Sequence, residues 1–194
     1  MIEPLMLFAI GIVKFDVIDW ANKKPKLLEL LKFEKDDNNE CDTDYFQYNT
    51  RPPYFDEWVD IMKEDLDVIA NEFTEGLSDR YNGDCPFGSL DKWQLWSQRY
   101  SDGQHHGAHN HGMMNISCVL YVEFDENEHE ATTFYSPFPN PFYGTIGKAT
   151  PPVKEGNIIA FPSLLLHECP VTLSSKPRTI MSFNIPLLKC MKSK

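Results

Sequence analysis

The chain has 194 residues, enough for one domain whose core needs neither disulfides nor a structural metal. With 42% hydrophobic and 13% aromatic residues it is too apolar to stay disordered, and a formal net charge of -11 sets its averaged field against phosphate backbones and anionic membrane surfaces. Its five cysteines, Cys41, Cys85, Cys118, Cys169 and Cys190, follow neither a disulfide framework nor a zinc-ribbon spacing and are expected to be free thiols in a reducing compartment.

The opening stretch Pro4 to Ile18 is apolar, but Lys14 and Asp16 interrupt it and no basic segment precedes it. Neither a secretion signal nor a membrane span is expected, and the chain is expected to be soluble and cytoplasmic, with no nucleic-acid partner. Leu5 to Phe15, rich in bulky and β-branched residues, predicts an early strand, and residues 21 to 33 predict a short helix with Leu27, Leu28, Leu30 and Leu31 on its apolar side. Asp36 to Arg51 is acidic and aperiodic and is expected to be a loop; its spacing does not match a calcium-binding EF-hand. From Pro53, Phe55, Trp58, Val59, Met62, Leu66, Ile69, Phe73 and Leu77 recur at steps of three or four, the apolar face of a long amphipathic helix.

Beyond Gly83 the pattern turns to strands: Lys92 to Tyr100, Asn115 to Phe124, Ala131 to Tyr135, Asn157 to Phe161, Leu164 to Val171 and Arg178 to Leu187, parted by turn-forming clusters. A helical first part followed by strands at regular spacing predicts an α+β domain whose strands close into a barrel or jelly roll. One domain spanning 1–194 is expected, with a strand and helices over about 1–85 and the barrel over about 90–190.

Four of the six histidines, His105, His106, His109 and His111, fall within seven residues. His109 and His111 stand two apart, so at the start of the strand leading into Asn115 to Phe124 they would face one side and share a metal. Imidazole suits iron, zinc, copper or nickel, while a solvent-exposed histidine-rich loop is the plainer alternative. His167 follows Gly156-Asn-Ile-Ile-Ala-Phe-Pro-Ser and an apolar run, where a core or capping role competes with ligation. Arg178, Ile180, Ser182 and Asn184 share one face of the last strand. Turned into a barrel, Arg178 is a buried cation that needs an anion, supplied either by a protein carboxylate or by a bound dicarboxylate held bidentately.

Trp96-Ser-Gln-Arg-Tyr-Ser-Asp-Gly103, His109-Asn-His-Gly followed by Cys118-Val-Leu-Tyr-Val, Gly156-Asn-Ile-Ile-Ala-Phe-Pro-Ser, His167 and Arg178-Thr-Ile-Met-Ser-Phe-Asn occur in one order. Together they resemble the 2-oxoglutarate and iron(II)-dependent oxygenases of the double-stranded β-helix fold, over about Trp93 to Ile185. The resemblance implies a jelly-roll, cupin-like barrel with the N-terminal helical part packed on its sheet. It implies Fe(II) and 2-oxoglutarate as cofactors, and oxygen and an unidentified substrate as the other partners. His109 and His167 would be iron ligands, Arg178 and Ser182 would grip the far carboxylate of 2-oxoglutarate, and Gln98 would assist from the strand before. The second ligand of the superfamily is usually Asp or Glu; here His111 takes that place, as in the branch this sequence is most similar to.

Three imidazoles leave the metal more positive than two histidines and a carboxylate. Where many relatives carry a tyrosine this chain has Leu120, with Tyr121 expected on the opposite face. His105 and His106 are expected in a surface loop or behind the ligands, and Cys169 as a small buried hydrophobe. Ser136 to Pro152, rich in Pro, Phe and Gly, is expected to form a lid. A cupin-type metal enzyme working without 2-oxoglutarate, and a metal-binding protein without activity, are the two alternatives.

Overall fold

The computed structural model describes residues 10–33, 40–81, 87–113 and 115–187, without the side chains of 73–81. Strand β1 (Val13–Asp16) and helix α1 (Trp20–Leu30) come first, followed by β2 (Asp42–Thr43), the single turn α2 (Tyr45–Tyr48) and the long helix α3 (Phe55–Tyr81). Eight further strands follow: β3 (Gln94–Tyr100), β4 (His106–His109), β5 (Asn115–Glu123), β6 (Thr133–Pro139), β7 (Ile146–Ala149), β8 (Asn157–Pro162), β9 (His167–Cys169) and β10 (Arg178–Pro186). They form two antiparallel sheets, ordered β1-β8-β5-β10-β3-β2 and β4-β9-β6-β7. This is the α+β, double-stranded β-helix arrangement, and no helix among the described residues is long and apolar enough to cross a membrane.

The larger sheet is buried on both faces, which is why its central strands read as nearly continuous apolar runs. Leu120, Ile158, Met181 and Phe183 face the helical layer, where Leu27, Trp58, Met62 and Ile69 are fully buried. Trp58 sets its ring edge on Phe183 at 5.1 Å. Each large apolar side chain removed from water here contributes on the order of 1.5–3 kcal/mol. The opposite face carries Tyr100, Val119, Tyr121, Ile159, Phe161 and Ile180 against Phe134, Leu165 and Cys169 of the smaller sheet side, and this inner layer surrounds the site. Gly156, with φ at +79°, starts β8 where Trp20 lies so close that an added Cβ would meet its ring at 2.8–2.9 Å. Only glycine satisfies both the dihedral and the contact.

Several expectations change. The Asp36 to Arg51 segment is not all loop: from residue 40 on it holds β2 and α2, because the buried Asp44 accepts a hydrogen bond from the Ser97 amide and caps the edge of β3. The Leu5 to Ala9 part of the early strand, Cys85, Cys190 and the side chains of Phe73 and Leu77 lie outside the described residues; Cys41, Cys118 and Cys169 are buried and not joined in disulfides. Tyr121, not Leu120, points into the barrel, since β5 runs in a register that sends Val119 and Tyr121 inward and Cys118, Leu120 and Val122 to the helices. The expected lid, Ser136 to Pro152, is largely a β6–β7 hairpin whose tip exposes Phe142 and Tyr143, and none of its residues lines the histidine cavity.

Candidate active site

His109 and His111 do not begin β5 as expected. His109 ends β4 in the smaller sheet, directly opposite His167 on β9, and His111 lies in the crossing between the sheets. That crossing is pinned from the β8–β9 turn: the His111 amide donates to the Ser163 carbonyl at 2.9 Å, and the Ser163 hydroxyl donates to the Gly112 carbonyl at 2.6 Å. The histidine motif and the turn that follows Pro162 therefore meet, and one ligand nitrogen each from His109, His111 and His167 fall within 4.8 Å of one another.

The hydrogen bonds behind these rings decide which nitrogen faces inward. A carbonyl oxygen can only accept, so His109 Nδ1 donates to the Gly107 carbonyl at 2.7 Å and His167 Nδ1 to the Leu165 carbonyl at 2.8 Å. His111 Nδ1 donates to Asn184 Oδ1 at 2.9 Å, with Ser117 Oγ at 3.0 Å, and the amide is oriented by its own donation from Nδ2 to Gln94 Oε1. All three Nδ1 atoms are thus protonated, leaving the three Nε2 lone pairs free for a metal, which is how hydrogen bonds behind the rings prepare metal-binding imidazoles. Burial pushes their basicity down, His167 to about 3 and His111 to about 4, with His109 also lowered, so all three are neutral at neutral pH.

Arg178 enters from β10 opposite Tyr100 and is 1% exposed. Its guanidinium lies 5.1 Å from the Tyr100 ring centroid and 5.6 Å from that of Tyr121, and none of its three nitrogens has a hydrogen-bond partner among the described residues. The Tyr121 hydroxyl is already engaged, donating to Thr132 Oγ1 and accepting from the Thr132 amide. Burial works against the charge but does not bring the guanidinium below its ordinary range, and Arg178 remains a cation. A buried guanidinium without an acceptor is costly, and an anion with two oxygens would satisfy it.

The triad and Arg178 line one narrow pocket, together with Gln98, His106, Cys169 and Ser182. At about 20 Å³ it holds little more than one water, so a ligand reaching Arg178 has to part the surrounding side chains. Beside it, sharing Trp96, Gln98 and the histidines of the crossing, an outer cleft of about 570 Å³ is walled by Tyr45, Phe46, Gln94 and Asn110 with Glu40 at its edge.

Two residues stand differently from their sequence-based expectation. Ser182 is four residues from Arg178 on the extended strand, roughly 13 Å along it, and pairs with Trp96, whose ring lies 5.3 Å from His111. It therefore stands nearer the histidine end of the pocket that it shares with Arg178. His106, expected on the surface or behind the ligands, lines the pocket with its ring 4.2 Å from that of His109 and bonded to Gln98. Its spacing of three from His109 concealed this, because two residues of a regular strand that far apart face opposite sides; an irregularity between His106 and His109 restores the shared side. His129 is structural, accepting from the Asp125 amide through Nδ1 and placing Nε2 on the Lys176 carbonyl.

Three converging imidazoles and a buried arginine thus line one pocket inside a double-stranded β-helix. Residues 94–184, from β3 to β10 and just under half of the chain, match the family described as "Putative 2OG-Fe(II) oxygenase". No curated protein matches it in sequence. Among solved structures it is similar to HygX from Streptomyces hygroscopicus, crystallised with nickel, 2-oxoglutarate and hygromycin B (11% identity, 95% of this chain and 86% of that one, TM-score 0.60). It is also similar to a Pseudomonas putida prolyl-4-hydroxylase (11%, 92% and 93%, TM-score 0.56). A third is SnoN, a non-heme alpha ketoglutarate dependent epimerase from nogalamycin biosynthesis (13%, 91% and 78%, TM-score 0.56). At such identities the likeness is one of fold, and a fold shared by a hydroxylase and an epimerase does not name the reaction.

Proposed function

We propose that the chain is a 2-oxoglutarate- and Fe(II)-dependent dioxygenase in which His109, His111 and His167 hold the iron and Arg178 anchors 2-oxoglutarate, an unidentified substrate entering by the outer cleft. The observation that carries this reading is Arg178: a buried, unpartnered guanidinium lining the same narrow pocket as the three histidines. When bound, iron and 2-oxoglutarate supply the oxidising chemistry, in which oxygen is consumed, succinate and carbon dioxide are released and one oxygen atom is inserted into a substrate C–H bond.

The chain's own residues supply geometry and electrostatics. The carbonyls of Gly107 and Leu165 and the amide of Asn184 hold the three rings with Nε2 forward, so that metal binding requires no change of tautomer. Neutral imidazoles bring no negative charge, leaving the metal end strongly electropositive and suited to a chelating anion. Arg178 fixes the other end of a dicarboxylate through a planar fork, and Tyr100 and Tyr121 keep water from its faces. Ser182 offers a hydroxyl along the same pocket, and Gln98 lines it.

A histidine in place of the usual carboxylate favours a second reading, a cupin-type metal enzyme without 2-oxoglutarate. Arg178 weighs against it, because that enzyme would carry a buried cation with no counter-ion. Anaerobically purified protein, assayed for metal content and for succinate formed from 2-oxoglutarate, tests the proposal. One iron per chain and iron-dependent succinate formation, both lost in His167→Ala, are expected; iron-loaded protein that fails to bind 2-oxoglutarate would shift the assignment to the cupin type.

A further inference from the structure

Beside the triad stands a fourth histidine with the opposite proton arrangement. His106 Nδ1 lies 3.1 Å from Gln98 Nε2, an amide nitrogen that can only donate. The orientation of that amide is set by its neighbour, for the Trp96 indole N–H points at Gln98 Oε1 at 3.4 Å and so identifies the oxygen side. Nδ1 of His106 is therefore the acceptor and Nε2 carries the hydrogen, whereas His109, His111 and His167 carry theirs on Nδ1. A protonated Nε2 has no lone pair for a metal. It is a hydrogen-bond donor, carried by a ring that lines the narrow pocket.

The position of His106 indicates what it serves. Along the β4–β9 ladder His109 faces His167 and His106 faces Cys169, so one step of two residues, roughly 7 Å, carries the wall from the triad toward Arg178. His106 and Arg178 line the same narrow pocket, and Cys169, the ladder partner of His106, also interacts electrostatically with Arg178. We propose that His106 is a ligand-binding residue whose Nε2–H donates to a carboxylate oxygen of the dicarboxylate bound between the triad and Arg178, and that Gln98 is a positioning residue acting through the tautomer of His106. The inference rests on the 2-oxoglutarate reading of this pocket. It replaces a direct contact from Gln98 with a relay, Trp96 to Gln98 to His106, in which each group fixes the next.

Zinc, diamagnetic and unable to turn over, serves as the metal for the test. In zinc-loaded, nitrogen-15-labelled protein, long-range proton–nitrogen spectra should show a histidine, identified by its loss in His106→Gln, protonated at Nε2, and adding 2-oxoglutarate should move that resonance. By calorimetry, His106→Phe should bind zinc within about twofold of wild type but 2-oxoglutarate about tenfold more weakly, the loss of one charge-assisted hydrogen bond. His106→Gln, which keeps an N–H, should recover part of the affinity. Gln98→Met, which can no longer hold the tautomer, should weaken 2-oxoglutarate several-fold in wild type and have no effect in the His106→Phe background. A His106 protonated at Nδ1, a loss of zinc in His106→Phe, equal 2-oxoglutarate affinity in wild type and His106→Phe, or additive effects of the two substitutions would each overturn the inference while leaving the dioxygenase assignment standing. Wild-type protein that binds zinc but not 2-oxoglutarate would overturn both. Unchanged zinc affinity also shows that each variant is folded at the site.

Discussion

Replacing Arg178 by methionine should strengthen the ligand-free fold and weaken the ligand complex, two effects of opposite sign from one side chain. In the free protein the guanidinium is 1% exposed and has no hydrogen-bond acceptor, only the faces of Tyr100 and Tyr121. Two such contacts contribute about 0.5–2 kcal/mol each, against an effective cost of several kcal/mol for burying a charge. Methionine fills much of the same volume without that cost, so the metal-free variant should gain about 1–3 kcal/mol, a rise in melting temperature of roughly 2–4 °C per kcal/mol for a chain of this size. With 2-oxoglutarate present the sign reverses, because the C5 carboxylate then lacks its partner. Removing one member of a buried charge pair typically costs about 2–5 kcal/mol, at least a 30-fold loss of affinity. Arg178→Lys should recover only part of it, since a point charge cannot reproduce the planar fork. The assays are thermal unfolding of metal-free protein and anaerobic titration of iron-loaded protein with 2-oxoglutarate. A metal-free Arg178→Met that melts below wild type while binding 2-oxoglutarate equally well would show that Arg178 is a structural cation, and would refute the reasoning.

Other outcomes follow from the same geometry. His167, held near a pKa of about 3 by burial against an ordinary value near 6.5, refuses a proton that the unfolded chain accepts, so its contribution is complete above about pH 6.5 and is lost as pH falls toward 3. Metal-free protein should lose about 2 kcal/mol between pH 7 and pH 5 through this residue, and denaturant melts of His167→Phe should show a correspondingly flatter pH dependence. His109→Ala and His167→Ala should abolish stoichiometric iron, while His111→Asp should keep it by restoring a carboxylate at that place; metal analysis decides, and iron retained in His167→Ala would remove it from the ligand set. Gly156→Ala should cost about 2–4 kcal/mol by denaturant unfolding, combining a left-handed dihedral with a clash against Trp20. Replacing Phe142 and Tyr143 by serine at the hairpin tip should leave 2-oxoglutarate affinity within about twofold, and a larger loss would restore the lid.

The elements legible in the sequence are those whose residues satisfy one requirement at a time. Trp58, Met62, Leu66 and Ile69 repeat at helical steps because one face of α3 is buried, and that periodicity survives any detail of packing. In β5 two requirements overlap: both faces are buried, Cys118-Val-Leu-Tyr-Val carries no alternation, and the choice between Leu120 and Tyr121 as the inward residue depends on a register set by β8 and β10. For the same reason the inward direction of Arg178 could be argued but its neighbours Tyr100 and Tyr121 could not. The triad shows a sharper limit. His109 and His111 are two apart, which in a strand implies a shared face, and they do converge, yet through a crossing between sheets held by Ser163, fifty-two residues after His111. The spacing suggested the right pair through a mechanism the fold does not use. A local rule cannot show which nitrogen of each ring is free, because that depends on carbonyls of a bent backbone and on amides from β3 and β10. His106 differs from His109 by one hydrogen position, set by Gln98 and ultimately by the Trp96 indole, and that difference separates a donor from a ligand.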